Sequence, residues 1–316
     1  MLIAAAMIMA ALHAQAATRP EPGERRLTVK VGSVDREYVV YVPRGYEGTS
    51  RVPVVIMFHG GGGTARGTMT ETGWTAKADE ARFLAVFPEG ARPDTSKPAH
   101  FVLNPQVWND GSGRFAAIMK ADDVGYIRAA IDDLRRRFAI DATRIYASGF
   151  SNGASMTFRI GEELADRIAA IAPVAGTCWK PAPAPSRAVP CLYITGTDDP
   201  LNPLAGGEIR MPWSGTSAGT KPSVWEDAMR WARGTGCGEA SARIILDRGG
   251  VKATCWGPGR GGCEVFLYTI EGMGHTWAGG RNLLPEAWVG RTSDKISATD
   301  LIWEFFSRHA LTASPS

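Results

Sequence analysis

The sequence has 316 residues, 44% of them hydrophobic, and a formal net charge of +3. A chain of this length can bury a large core, and we expect one domain with room for an insertion. The net charge is small, and the one basic run, DLRRRF (133–138), is typical of a solvated helix end. Both features argue against nucleic-acid binding.

The chain begins with the apolar segment MLIAAAMIMAALHAQAATRP. Its uninterrupted apolar part is too short to span a bilayer, and Ala14-Gln15-Ala16 matches a signal-peptidase cleavage site. A basic region before the apolar part is missing, which is compatible with a start codon further upstream. We expect residues 1–16 to be a signal peptide rather than a buried N-terminal helix. The remaining chain, 17–316, is then secreted or periplasmic.

Short apolar runs rich in Val, Ile, Tyr and Phe recur along the chain and are bounded by Gly and Pro, which favours buried parallel strands. These runs are EYVVYVP (37–43), VPVVIMFHG (52–60), FLAVFPE (83–89), RIYASGF (144–150), IAAIAPVAG (168–176), CLYITGT (191–197) and EVFLYTIEG (264–272). Helical patterns lie between them, most clearly at 122–138 and 297–311. The alternation predicts an α/β fold with a mostly parallel, doubly wound sheet flanked by helices.

The segment GFSNGAS (149–155) contains a Gly-x-Ser-x-Gly motif. It follows the predicted strand 144–150 and precedes a helical pattern, which is the strand–turn–helix context of a nucleophile elbow. This context favours Ser151 as a nucleophile over a serine that merely caps a helix.

A serine nucleophile needs an oxyanion hole. The segment FHGGGGTA (58–65) follows a strand, as a glycine-rich oxyanion loop does. We expect the backbone N–H groups of Gly61 and Asn152 to be the two donors. A flexible glycine-rich turn is the alternative, and a phosphate loop is disfavoured because no Gly-Lys-Ser/Thr follows.

The remaining partners of an elbow serine follow in the chain order Ser, Asp, His. The segment TGTDDP supplies Asp199 as the preferred acid and Asp198 as the reserve. The segment EGMGHTWAGG places His275 in a loop after the last predicted strand. The other histidines outside the signal segment lie in the glycine-rich loop, before the elbow or in the terminal helix: His59, His100 and His309.

A family resemblance rests on segments that follow one another in this order: HGGGGTA, VWNDG, DDVGYIRAAIDDL, RIYASGFSNGASM, IAAIAPVAG, TGTDDP and GMGHTWAGG. Together they resemble secreted esterases of the polyhydroxybutyrate depolymerase and feruloyl esterase family. The resemblance covers residues 27–309. It implies a single α/β-hydrolase catalytic domain over 17–316, with Ser151, Asp199 and His275 as its triad. Two positions depart from the family motifs, Thr195 for a histidine and Ala278 for a proline.

The family includes two substrate classes. Depolymerases that attack solid polyester usually carry a linker and a binding module, for which no room follows residue 309, so we expect feruloyl or related plant cell-wall esters. Short polyester oligomers are the alternative. Trp108 and Trp277 could line the pocket and stack on an aromatic acyl group, although structural packing is an equal alternative. A serine peptidase or a non-catalytic binding protein is less favoured, and after signal cleavage we expect an ester as the partner, with neither nucleic acid nor membrane.

The five cysteines all lie in the C-terminal half, at 178, 191, 237, 255 and 263. No Cys-x-x-Cys pair occurs, so we expect no metal site, and the chemistry above requires no cofactor. Export favours disulfides. Cys178 and Cys191 are expected at opposite ends of neighbouring strands, too far apart to pair. We predict a Cys237–Cys255 bridge, with Cys263 as the competing partner of Cys237.

Overall fold

The computed structural model describes residues 21–115, 118 and 120–311. The predicted signal peptide, 1–16, lies outside the described residues. Within those ranges, no helix combines the length and the apolar character needed to cross a membrane.

A ten-stranded sheet forms the centre of the molecule, in the order β1-β2-β4-β3-β5-β6-β7-β12-β11-β10. Its strands are β1 (Gly23–Val31), β2 (Val34–Val42), β3 (Val52–Phe58), β4 (Leu84–Pro88), β5 (Ile140–Phe150), β6 (Ala170–Val174), β7 (Cys191–Gly196), β10 (Arg243–Arg248), β11 (Val251–Trp256) and β12 (Val265–Ile270). The strands from β4 to β12 in this order run parallel, and antiparallel strands extend the sheet on both sides. The predicted mostly parallel sheet is confirmed.

Helices cover both faces of the sheet. They are α1 (Ala65–Thr72), α2 (Trp74–Ala81), α3 (Asp123–Arg137), α4 (Asn152–Glu163), α5 (Val224–Gly234), α6 (Glu286–Val289) and α7 (Ala298–Phe306). One core cluster packs α3, α4 and α5 against the sheet, and a second packs α1, α2 and α7 against the opposite face. The apolar stripe of α3 points inward at Ile127, Ile131 and Leu134, as its sequence period predicts.

The connection from β7 to α5 carries a separate two-stranded sheet, formed by β8 (Gly207–Arg210) and β9 (Ser217–Lys221). We refer to residues 200–223 as the hairpin insertion. Its own small cluster joins Leu201 and Ile209 to Val289 and does not merge with the two main cores. The insertion therefore rests on the domain without forming part of the central sheet.

The predicted Cys237–Cys255 bridge is wrong for this structure, in which all five cysteines are free thiols. No predicted strand covers the chain between α5 and residue 264, whereas this segment forms β10 and β11. Cys255 is fixed in β11 opposite Phe266 of β12. Cys237 instead faces the competing partner, because its Sγ lies 3.5 Å from the carbonyl oxygen of Cys263. Cys178 and Cys191 are likewise not joined.

Candidate active site

Ser151 occupies the sharp turn between β5 and α4. Its backbone has φ 57° and ψ −120°, a conformation that L-residues rarely adopt outside functional turns. The turn depends on its flanking glycines: a Cβ on Gly149 would lie 2.2 Å from the carbonyl oxygen of Gly153, and one on Gly153 would lie 2.4 Å from that of Phe58. The close approach of α4 to β5 and β3 thus explains both glycines of the motif.

Ser151, His275 and Asp199 form a continuous chain of hydrogen bonds. His275 Nε2 lies 2.8 Å from Ser151 Oγ, and His275 Nδ1 lies 2.8 Å from Asp199 Oδ2. Asp199 Oδ1 also accepts the backbone N–H groups of Leu201 (2.8 Å) and Asn202 (2.7 Å). The imidazole and the carboxylate are both buried. These contacts fix the orientation of the ring towards the serine.

The reserve acid, Asp198, has a different environment. It is exposed, and its carboxylate accepts a hydrogen bond from the hydroxyl of Thr197 at 2.7 Å. Of the two adjacent aspartates, Asp199 is therefore the one that contacts the histidine.

Neighbouring strands bring Asp199 and His275 together. β7 and β12 are parallel, with Gly196 paired to Ile270 at their carboxyl ends. Asp199 and His275 come from the loops that follow these two ends. Because carboxyl ends of parallel strands meet at one edge, side chains 76 positions apart in sequence come into contact.

Gly61 and Asn152 lie side by side next to Ser151. A Cβ on Gly61 would lie 3.7 Å from Asn152 Cβ, and both residues line the cavity that contains the serine. Neither backbone N–H donates to another of the described residues. The Asn152 side chain is itself held, since its Oδ1 accepts from the Trp108 amide (2.8 Å) and its Nδ2 donates to Asp110 (2.8 Å).

His59 holds the glycine-rich loop in place through hydrogen bonds to Gly60 and Gly90, a role that the sequence did not indicate. Its Nε2 accepts the N–H of Gly90 at 2.9 Å, so the proton is on Nδ1, which donates to the carbonyl of Gly60 at 2.7 Å. Burial lowers the pKa of His59 and keeps the ring neutral.

A cavity of about 210 Å³ opens beside Ser151. Its aromatic wall comes from three residues outside the predicted motifs: Phe101, Phe115 and Trp213. Phe101 and Trp213 meet edge to face, with ring centroids 5.3 Å apart. No periodic pattern marks these residues in the sequence, because they lie in loops and in the hairpin insertion.

Trp108 and Trp277 do not line this cavity, which corrects the prediction that they contact substrate. Their side chains are 0% and 1% exposed. Trp108 donates its indole N–H to the carbonyl of His59 (2.9 Å), and Trp277 donates to the hydroxyl of Thr299 (3.0 Å). Both are core residues that brace the loops of the site, since a buried indole N–H needs a partner.

Two cationic side chains, Arg114 and Lys221, also line the cavity. Within the described part of the chain, no cluster of three or more His, Cys, Asp or Glu side chains is placed to hold a metal ion. The described residues therefore place a serine hydroxyl, an imidazole and a carboxylate in one hydrogen-bond chain, beside a pocket with both aromatic and cationic walls.

Residues 47–214 match the phospholipase/carboxylesterase family. A putative esterase, NocK, from Nocardia uniformis subsp. tsuyamanensis is 31% identical over 92% of this chain and 88% of its own length. Feruloyl esterase B from Piromyces equi is 32% identical over 78% of this chain, which spans only 44% of that protein.

Among solved structures, an acetyl xylan esterase from Aspergillus awamori superposes with a TM-score of 0.61 over 90% of this chain and 99% of its own. Its sequence identity is 13%, so this likeness concerns the fold. The sequence matches and the shared fold agree with each other. The chain therefore belongs to the phospholipase/carboxylesterase family and is a serine ester hydrolase with the α/β-hydrolase fold.

Proposed function

We propose that the chain is a carboxylesterase in which Ser151 is the nucleophile, His275 the general base and Asp199 the orienting acid. The observation that carries the proposal is the hydrogen-bond chain from Asp199 through His275 to Ser151, with both links at 2.8 Å. A free serine hydroxyl is a weak nucleophile and needs a base held in the correct tautomer. Asp199 accepts from Nδ1, which leaves Nε2 free to take the serine proton.

The reaction proceeds through an acyl-enzyme. Ser151 Oγ attacks the ester carbonyl carbon while its proton passes to His275 Nε2. The resulting imidazolium is stabilised by Asp199 and protonates the departing alcohol as the bond from carbon to the alcohol oxygen breaks. Water then attacks the acyl-serine, giving its proton to His275, and the acid product leaves as the proton returns to Ser151.

The negative charge of each tetrahedral intermediate falls on the former carbonyl oxygen. We assign the N–H groups of Gly61 and Asn152 as its donors. Asn152 begins α4, so the positive end of the helix dipole adds to this stabilisation. Such preorganised donors act most strongly where the oxygen becomes an anion, which lowers the barrier rather than tightening substrate binding.

For the substrate, we propose feruloyl or related plant cell-wall esters. Phe101, Phe115 and Trp213 offer flat apolar surfaces to an aromatic acyl group. The feruloyl esterase relative supports the same choice. A short polyester oligomer is the second candidate, favoured by the cationic side chains Arg114 and Lys221 in the same cavity. We further propose, from the pattern of residues 1–16, that the enzyme acts outside the cytoplasm.

The test is a comparison of hydrolysis rates for the purified protein on 4-nitrophenyl acetate, methyl ferulate, a hydroxybutyrate trimer and acetylated xylan. We expect turnover of 4-nitrophenyl acetate that disappears in Ser151→Ala, and methyl ferulate as the best of the natural-type esters. Absence of any serine-dependent turnover on this panel would overturn the assignment. A preference for the trimer would favour the second candidate.

A further inference from the structure

Lys221 is the last residue of β9, and it lines the cavity beside Ser151. Its ammonium group donates to the carbonyl oxygen of Leu201 at 2.6 Å and to Asn202 Oδ1 at 3.3 Å. Both acceptors are neutral, and no carboxylate among the described residues forms an ion pair with this lysine. A lysine ammonium has three N–H donors, so one remains available and its charge is uncompensated.

Arg114 brings a second cation to the same cavity. Its guanidinium donates to Asp110 Oδ2 at 3.0 Å and lies over the ring of Trp179, with Cζ 4.3 Å from the centroid. The Nε atom is buried and has no hydrogen-bond partner among the described residues. A Cβ on Gly219 would lie 3.7 Å from Arg114 Cδ, so the arginine packs against the strand that carries Lys221.

The charges around the cavity do not cancel. Burial, and then repulsion from Arg114, lower the pKa of Lys221 to about 8, while attraction to Asp199, Asp227 and Asp110 opposes the shift. Burial raises the pKa of Asp227 to about 8, so this carboxyl is mostly protonated at neutral pH. Asp110 is engaged by Arg114, and Asp199 by His275. At pH 7 Lys221 is therefore protonated without a dedicated counter-ion.

We propose that this cavity contains a carboxylate-binding subsite, so that of two otherwise matched esters the enzyme prefers the one with a second, ionised carboxyl group, which Lys221 and Arg114 bind. The proposal rests on the proposed esterase function, because it places the scissile ester at Ser151. A carboxylate would accept the free donors of both cations and neutralise the unpaired charge. Desolvated contacts of this kind are stronger than neutral hydrogen bonds. The aromatic wall then covers the carbon chain between the ester and the carboxylate.

The carboxylate could belong to the acid part or to the alcohol part of the ester, and two matched substrate pairs distinguish these sources. For the acid part, monoethyl adipate is compared with diethyl adipate. For the alcohol part, 3-butanoyloxybutanoate is compared with its methyl ester. Hydrolysis is followed in a pH-stat. We expect kcat/KM to favour the charged member of at least one pair by about ten- to hundredfold, the range of a charged hydrogen bond.

Variants of Lys221 test the residue itself. Lys221→Met is expected to lower the ratio of kcat/KM for charged over neutral ester to near one, whereas Lys221→Arg retains the preference. Lys252→Met, on β11 and away from the cavity, is the matched control and leaves the ratio unchanged. Because Lys221 also contacts the turn of Asp199, equal losses on charged and neutral esters would assign it a positioning role and overturn the proposal.

An inhibition measurement tests the subsite without requiring hydrolysis of a charged ester. Adipate is expected to inhibit 4-nitrophenyl acetate hydrolysis competitively, with a larger inhibition constant in Lys221→Met. The preference for charged esters should also decline as the pH rises through about 8, because Lys221 then loses its proton. Equal kcat/KM values for charged and neutral esters, with turnover still dependent on Ser151, would overturn the subsite and leave the esterase function standing. Loss of turnover on every ester would instead contradict the esterase function.

Discussion

The central sheet and the hairpin insertion supply different parts of the site: the residues assigned to catalysis follow strands of the sheet, whereas Trp213 and Lys221 of the pocket lie in the insertion. Ser151, Asp199 and His275 lie in turns that follow β5, β7 and β12; β6 and β7 are wholly buried, and β5 is buried from Ile145 to Phe150. The hairpin insertion lies outside the sheet, and most residues of β8 and β9 are exposed or half-buried. The contrast indicates that the exposed part of the insertion, with Trp213, tolerates more change than the core, whereas its first residues, Leu201 and Asn202, also hold Asp199.

Loss of the Ser151 hydroxyl is expected to have the largest effect. Ser151→Ala is expected to lower kcat by about 10⁴- to 10⁶-fold while the melting temperature changes little, since only the hydroxyl is lost. Ser214→Ala, on the exposed turn of the hairpin insertion, is the control and should retain activity. Residual activity within tenfold of the unchanged protein would refute the role of Ser151. Ester hydrolysis and circular dichroism are the measurements.

The adjacent aspartates, Asp198 and Asp199, allow a second test of which carboxylate supports His275. Asp199→Asn is expected to lower kcat by about 10⁴-fold, because an amide favours the wrong tautomer of His275. Asp198→Asn should change kcat by less than about threefold, since this exposed carboxylate accepts a hydrogen bond from Thr197 and does not contact His275. The two variants differ by a single position, and the reverse order of effects would move the acid to Asp198.

Substitution of two tryptophans tests the difference between a pocket residue and a core residue. Trp213→Ala is expected to raise KM for methyl ferulate by about tenfold, the loss of one aromatic contact, with little effect on stability. Trp108→Ala should instead destabilise the fold by about 3–5 kcal/mol, because it empties a buried site. Urea denaturation and steady-state kinetics separate the two outcomes. A stability loss in Trp213→Ala as large as that in Trp108→Ala would show that the two regions are not distinct.

The smallest effect concerns the cysteines that support β12. Cys237 Sγ lies 3.5 Å from the carbonyl oxygen of Cys263, and interaction with the Cys263 thiol lowers the pKa of Cys237. Under oxidising conditions we expect a bridge between them, worth about 3 kcal/mol in the chain-entropy model. Reduction should lower the melting temperature without changing the preference among esters, because this pair belongs to the scaffold. Peptide mapping without reductant checks the pairing, and a fragment that joins Cys237 to Cys255 would restore the original prediction.

The sequence was most informative where a motif residue follows a continuous apolar run. The runs that became β3, β5 and β7 are buried on both faces, so they read as continuous apolar segments, and Ser151 and Asp199 follow two of them. Their order along the chain, with His275 after β12, was therefore accessible without a structure.

The pocket could not be predicted in this way. Trp213 and Lys221 lie in a short hairpin whose strands are too exposed to show an apolar pattern, and Phe101 lies in a loop. The prediction for Trp108 failed because the position of a tryptophan within a motif does not reveal which way its indole points. The strands β10 and β11 were missed for a related reason, since β10 is largely exposed and breaks the apolar pattern. That omission also produced the wrong cysteine pairing.

The pairing of β7 with β12 has a consequence for how the enzyme fails when it is warmed. Residue pairs run without interruption from Cys191 opposite Val265 to Gly196 opposite Ile270, just before the loops of Asp199 and His275. These pairs hold the starts of both loops in place, and opening them amounts to unfolding the centre of the domain. The hairpin insertion is not paired with the central sheet and is free to loosen at a lower temperature. A warmed sample is therefore expected to become indiscriminate among esters before it becomes inactive.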